Sequence, residues 1–287
     1  ARRCFIDLMH FNPAARMKNG AHPVDFLLSA ARTAGCNGVP VVALRSDVPF
    51  VAAVAAVVAQ DRAGVCLRLV LRDFDRADLS TDIAELLRKI SLGYGDVDLL
   101  LDLATPNYVP VAAYTRFLSL YMSMIPQLNR WRSLTICGTS YPESGVTIVS
   151  PLVRHEWLSY VNYTSSLSST ERIPSFGDYA VAHPALVELD MRMVKPVAKL
   201  RYTYKDHWHV DRGTNVRTNG FSQYVGMCKN LVGRPYFDGA AYSAADQYIA
   251  DCASGKASTG NLSTWVWVST NRHLTKVVTD LSSLHVP

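Results

Sequence analysis

Seven polar residues fall at corresponding places in the chain: Asp7, Arg45, Arg72, Asp102, Thr139, Asp178 and Arg201 each stand at or near the C-terminal end of a short apolar run. Guanidinium groups so placed hold phosphate or carboxylate by forked hydrogen bonds, and carboxylates among them serve as acid, base or divalent-metal ligand. Asp7, Arg45, Arg72, Thr139, Arg201 and the neighbouring Tyr202 are therefore candidate ligand-binding residues for a small anionic, phosphorylated or nucleotide-like molecule. Asp102 and Asp178 are the candidate catalytic groups, a divalent metal is compatible with them, and an enzyme built this way would hydrolyse a phosphoester. Asp178 stands between Gly177 and Tyr179, where a small neighbour lets ligand or backbone come close. The competing reading is structural, because carboxylates and guanidiniums inside a fold need partners and can simply neutralise one another.

Other chemistry-bearing strings are weaker. His207, His209 and Asp211 alternate, a spacing compatible with a transition-metal site on one face of an extended segment, but Trp208 between them suggests a hairpin. Ser140 in GTSYP lacks the second glycine of a strand-to-helix nucleophile elbow. Tyr202, Tyr204, Trp208, Trp265 and Trp267 could stack on bases or sugars beside Arg201, Arg212 and Arg217, although aromatics in such numbers are more often packing groups. The phosphate-cradling loop, the dinucleotide fingerprint, the His-Glu-x-x-His helix and zinc-finger spacing are all missing.

The elements that must position these residues show in the alternation of short apolar runs with helical patterns, at a period of about 30 residues, which is the rhythm of successive βα units. The spacing predicts strands over 4–9, 39–44, 65–72, 97–104, 134–139, 173–180 and 198–204. It predicts helices over 23–34, 48–60, 80–91, 111–131, 152–165, 220–231 and 273–284, with Ser80 and Glu85 suited to a capped start. Side chains alternate along a strand. In the fourth run Leu99, Leu101 and Leu103 form an outward, helix-facing set and leave Asp98 and Asp102 inward; in the third, Leu67, Leu69 and Leu71 point out and leave Arg68 and Arg72 inward. These features predict a (β/α)8 TIM-like barrel with the polar set at the C-terminal mouth of the sheet, where barrel enzymes place their sites. Seven strands are visible, so an eighth preceding Ala1 would close it. The expected organisation is one domain over 1–287, with 205–287 as a C-terminal helical extension.

Composition fits a folded globular chain: 49% of residues are hydrophobic and 18% charged. The net charge of +5 is spread evenly, without the basic tail or arm that would argue for nucleic acid. The longest small-apolar stretch, 48–59, is far short of the 18 or so residues a membrane span needs, and no signal peptide is visible. Six scattered cysteines without a C-x-x-C pair read as reduced thiols of a cytoplasmic protein.

From Leu134 onward the chain resembles the beta protein family of bacteria and their phages. The resemblance is carried by TSYP at 139–142, RHE at 154–156, PSFGDYAVAHP at 174–184, LRYTY at 200–204, Arg212 with Gly213, GNLSTW at 260–265 and NRHLTKVV at 271–278. The family pattern has Trp-Arg followed by a His pair, whereas this chain has Trp265 followed by Val266 and a single His273. The resemblance implies one continuous domain and a cytoplasmic component of phage or bacterial genomes, suspected of a part in phage–host conflict or phage defence; it implies no reaction.

Two functions remain. One is a barrel that binds or processes the anionic ligand at its mouth. The other is a non-enzymatic module of a phage or anti-phage system that meets a protein partner through the loops after Asp178 and around Trp208. An open mouth favours the first, and a mouth plugged by its own loops, with each arginine paired to an aspartate, favours the second.

Overall fold

A computed structural model describes residues 3–143, 151–185 and 195–284. It falls into two compact units: residues 1–138 with 159–178, and residues 139–158 with 179–287.

The first unit is built on six parallel strands, β1 (Arg3–Ile6), β2 (Asn37–Ala43), β3 (Val65–Val70), β4 (Val97–Asp102), β5 (Ser133–Cys137) and β7 (Ser175–Gly177), in the order β1-β2-β3-β4-β5-β7. Strands that neighbour one another in space as in sequence, with right-handed crossovers, put their helices on one face. Those helices are α1 (Pro23–Thr33), α2 (Val48–Asp61), α3 (Leu79–Lys89) and α4 (Val111–Met124). Local signals set their starts. The Asp47 side chain accepts from the Phe50 N–H at 2.7 Å to cap α2, and Asp78, not Ser80, caps α3 by accepting from the Thr81 N–H at 2.9 Å. The core lies between sheet and helices: Leu67, Leu69, Leu99, Leu101, Leu134 and Ile136 pack with Val54, Val57, Ile83, Leu86 and Leu118. The outward leucine parity of β3 and β4 is thus observed. The opposite face of the sheet carries Cys66 beside Asp98, Arg68 beside Leu100, and Val70 beside Asp102.

The second unit contains β6 (Leu152–Val153), β8 (Val197–Tyr204) and β9 (His207–Asn215), an antiparallel sheet in the order β6-β9-β8. Helix α5 (His155–Ser166) begins in this unit and ends in the first. Four more helices complete it: α6 (Val216–Asn219), α7 (Gln223–Val232), α8 (Ala244–Ser254) and α9 (Leu262–Leu284). Ala198, Leu200 and Tyr202 of β8 pack on Tyr224, Cys228, Ile249, Trp265 and Val268 of these helices.

This architecture corrects the barrel. The sheet is open, with six strands in barrel order, and the seventh expected strand does not join it: β8 pairs antiparallel with β9 from Val197↔Asn215 to Tyr204↔His207. The physical reason is the connection. Only Lys205 and Asp206 separate the two strands, Lys205 has φ 45°, and a two-residue turn joins antiparallel neighbours, whereas a parallel strand needs a long crossover. The polar stretch 207–219 is mostly strand, forming the hairpin that Trp208 suggests, and 205–287 is therefore not an all-helical extension. Helix α8 escapes the apolar pattern, although its ends are marked by the Ser243 side chain accepting from Asp246 N–H and by Gly255 in the left-handed region. No described helix is long and apolar enough to cross a membrane.

Candidate functional site

The loops after β1 and β2 and the first turns of α1 and α2 enclose a cavity of about 300 Å³ beside the sheet, toward the C-terminal ends of its strands. This is the edge of a parallel sheet at which ligands enter. Part of its lining is apolar, including Met9, Phe11, Val41 and Phe50, and Asp7, Arg45, Ser46, Asp47, Arg68 and His22 supply the polar groups. The His22 Nδ1 accepts from the Val24 N–H at 3.2 Å to cap α1, and its ring stands edge-on to Phe50 at 5.4 Å.

Arg68 organises the polar side. It projects from the middle of β3 with only 11% of its side chain exposed, its Nε lies 3.4 Å from Asp7 Oδ2, and one terminal nitrogen lies 3.6 Å from Asp102 Oδ2. Asp7 is 29% exposed and accepts from the Met9 N–H at 2.8 Å, so one oxygen holds its own loop while the other faces Arg68. Asp102 is 4% exposed and accepts from the Ala104 N–H at 2.9 Å. Arg45, just past β2 and half exposed, has Nε 3.5 Å from the buried Asp73 and donates to the Arg72 carbonyl at 3.3 Å.

The other end of the same face is structural. Asp98, near the start of β4, accepts from Arg132 Nε at 3.1 Å, from Arg132 Nη2 at 2.7 Å and from the Ser133 hydroxyl at 2.6 Å. Burial alone would raise the carboxyl's pKa; the Arg132 fork and the Ser133 hydroxyl outweigh it and hold the group below its ordinary value. Burial, with Asp98 and Asp7 nearby, pushes the Cys66 thiol up to about 12. Cys137 is likewise raised, by burial first and then by Asp102 and Asp178.

The structure therefore brings Asp7 and Asp102 together at Arg68, and places Arg45 in the wall of the same cavity as Asp7 and Arg68. Arg68 has the inward parity of its strand, yet it stands in mid-strand, away from the strand ends that mark the other candidates, so nothing in the sequence singles it out as a site residue. Arg72 lies in a single 3-10 turn, 71–73, with its side chain exposed, and contributes its carbonyl to Arg45. Asp178 comes directly after β7. Strand parity does not place it with Arg68 and Asp102, since Phe176, two residues before it, is in register with core-facing Ile136 and packs on Tyr160 at 5.1 Å. Thr139, Arg201 and Tyr202 belong to the second unit. Thr139 is fully buried and its hydroxyl accepts from the Tyr141 N–H at 3.0 Å. Tyr202 is also fully buried and donates to Asp246 at 2.8 Å, a packing group of its unit. Arg201 donates from Nε to the Tyr141 hydroxyl at 2.8 Å and does not share a sheet with the strand that precedes Asp178. The Ser140 hydroxyl contacts Glu156 at 2.6 Å and accepts from the His155 N–H at 3.0 Å, fastening the start of α5. Among the described residues no group of three His, Cys, Asp or Glu side chains is arranged to hold a metal.

No curated protein matches the chain, and no solved structure matches it. A family model does: the one described as Beta protein matches residues 1–279, so the likeness that the motifs after Leu134 carry extends through the parallel sheet and the cavity as well. Spanning both units and nearly the whole length, that match shows that the chain belongs to the Beta protein family.

Proposed function

We propose that the protein binds a small ligand with a ring-sized apolar body and an anionic, phosphate-like head, as a nucleotide or its relatives have, in the cavity at the C-terminal edge of its parallel sheet. One observation carries this reading: in a single cavity of about 300 Å³, Phe11, Phe50 and Met9 face the same space as the guanidiniums of Arg45 and Arg68. That volume is at the lower end of small-molecule sites, and an apolar wall with a few convergent polar groups is their usual composition. Arg45, half exposed, turns a free edge of its fork toward the anion, while Arg68 is oriented by its two carboxylates. Asp7 is a carboxylate of the cavity wall and accepts a ligand N–H or O–H; Asp102, behind Arg68, acts as a positioning residue. Both arginines are paired, as a structural network requires, but the cavity is open, as a ligand requires.

The test is calorimetric titration of the wild-type chain with mononucleotides and sugar phosphates, repeated on Arg45→Ala and Asp7→Asn. Affinity should fall about tenfold or more in each variant, the effect of one charge-assisted bond. Binding unchanged in both would overturn the assignment.

A further inference from the structure

The second unit holds three cations that this cavity does not use. Lys199 and Arg201 stand two residues apart on β8 and so share one face of the hairpin. Arg212 of β9 is the direct cross-strand partner of Lys199, and Val210 that of Arg201. The other face of β8 is committed, since Ala198, Leu200 and Tyr202 are buried against the helices. The cations therefore share a face with Trp208 and Val210, which pack with Tyr141 and Val181. A register irregularity between Val197 and Lys199 accompanies Gly213, where a Cβ would collide with Gln223 Oε1, so the strand is pinned close to α7 immediately after Arg212. Arg212 itself is exposed.

Like charges opposite one another on a sheet oppose folding. Here no carboxylate is ion-paired with any of the three among the described residues. Burial first, then Arg201 and Arg212, lower the Lys199 pKa below the ordinary ammonium value. Arg201 spends its Nε on the Tyr141 hydroxyl, and its guanidinium carbon lies 5.8 Å from that ring's centre, which fixes the plane of the fork. A pre-oriented fork, a half-buried ammonium and an exposed guanidinium on one face lack only the counter-charge.

We propose that Lys199, Arg201 and Arg212 form a second binding site, specific for a phosphate group carrying two or more negative charges. Three cations without a carboxylate favour a dianion over a single carboxylate ligand, and the fork of Arg201 matches two phosphate oxygens at once.

Pyrophosphate and inorganic phosphate, titrated into the full chain at constant ionic strength, are the probes. Binding should strengthen from phosphate to pyrophosphate, weaken about tenfold in Arg212→Ala and in Lys199→Gln, and stay unchanged in Arg116→Ala, which removes an exposed cation of α4. Arg212→Ala removes an exposed side chain and relieves repulsion, so its melting temperature should hold or rise. As an independent readout, acylation of Lys199, followed on its peptide by mass spectrometry, should slow when pyrophosphate is present, because the anion favours the unreactive ammonium. Equal binding by wild type and Arg212→Ala, or no protection of Lys199, would overturn the site. Loss of pyrophosphate binding in Arg45→Ala alone would place the anion in the cavity and overturn this proposal while supporting that one.

Discussion

Replacing Asp98 by Asn separates the two ends of the cavity-side face of the parallel sheet. Asp98 is 2% exposed and takes four hydrogen bonds, two from the Arg132 fork, one from Ser133 and a long one from Arg3 at 3.5 Å. Hydrogen bonds to a charged group contribute about 1.5–3 kcal/mol each, and breaking a buried pair costs about 3–5 kcal/mol. Asn keeps one acceptor and the shape, so the loss should be about 3 kcal/mol, which for a unit of this size lowers the melting temperature by roughly 6–12 °C. The sign of its pH dependence comes from the depressed carboxyl: the stability it supplies is fully present above its ordinary value of about 3.8 and is lost as pH falls through the lower folded value. Urea denaturation of wild type and Asp98→Asn at pH 7 and at progressively lower pH measures both. A difference below about 1 kcal/mol at pH 7, or a gap that does not narrow as the medium becomes strongly acidic, would refute the clamp. Ligand binding at the opposite end of the strand should be unchanged in the folded fraction.

Packing and charge set three further outcomes. Arg272→Met should cost about 3–5 kcal/mol, since Arg272 is fully buried, pairs with Asp246 at 3.2 Å and lies 4.1 Å over the Tyr202 ring, and its removal leaves a buried carboxylate short of its counter-charge; thermal unfolding checks it. Gly64→Ala should destabilise the first unit by at least about 1–2 kcal/mol, because Gly64 has φ 75° and a Cβ there would collide with the Asp96 carbonyl, and chemical denaturation reads the loss. In native protein, thiol titration should find fast reaction at the exposed Cys4 and Cys36, with Cys66, Cys228 and Cys252 reacting only on unfolding. Rapid reaction of Cys66, whose thiol is raised to about 12, would contradict its burial.

Much of the first unit is legible in the sequence because its signals are local. The leucines of β3 and β4 recur at a period of two, the helices carry Asp and Pro starts, and the parity that exposes Leu67 and Leu99 to the helices also delivers Arg68, Asp98 and Asp102 to one face. The second unit is misread where the deciding fact is non-local. VAKLRYTY has the same alternation whether its neighbour runs parallel or antiparallel, and only the two-residue spacing to HWHVDRGTN distinguishes them. Lys205-Asp206 is not a strong hairpin dipeptide, so that spacing is a weak signal. Arg201 and Tyr202 are carried into the barrel mouth by that one error. The cavity itself depends on the loops around Phe11, Asn12 and Ser46, whose approach no periodicity encodes. Asp178 shows the limit of parity: β7 has three residues, too few to fix the face of the residue after it.

Amide hydrogen exchange locates the ligand most directly. The wild-type chain is compared alone and saturated with the mononucleotide or sugar phosphate that binds best in the calorimetric series. Protection should concentrate in residues 7–12 and 43–47, the loops that carry Asp7, Phe11 and Arg45 into the cavity, and should weaken in Arg45→Ala at the same ligand concentration. Protection that spares both loops while the ligand is bound would contradict the placement of the site at the C-terminal edge of the parallel sheet.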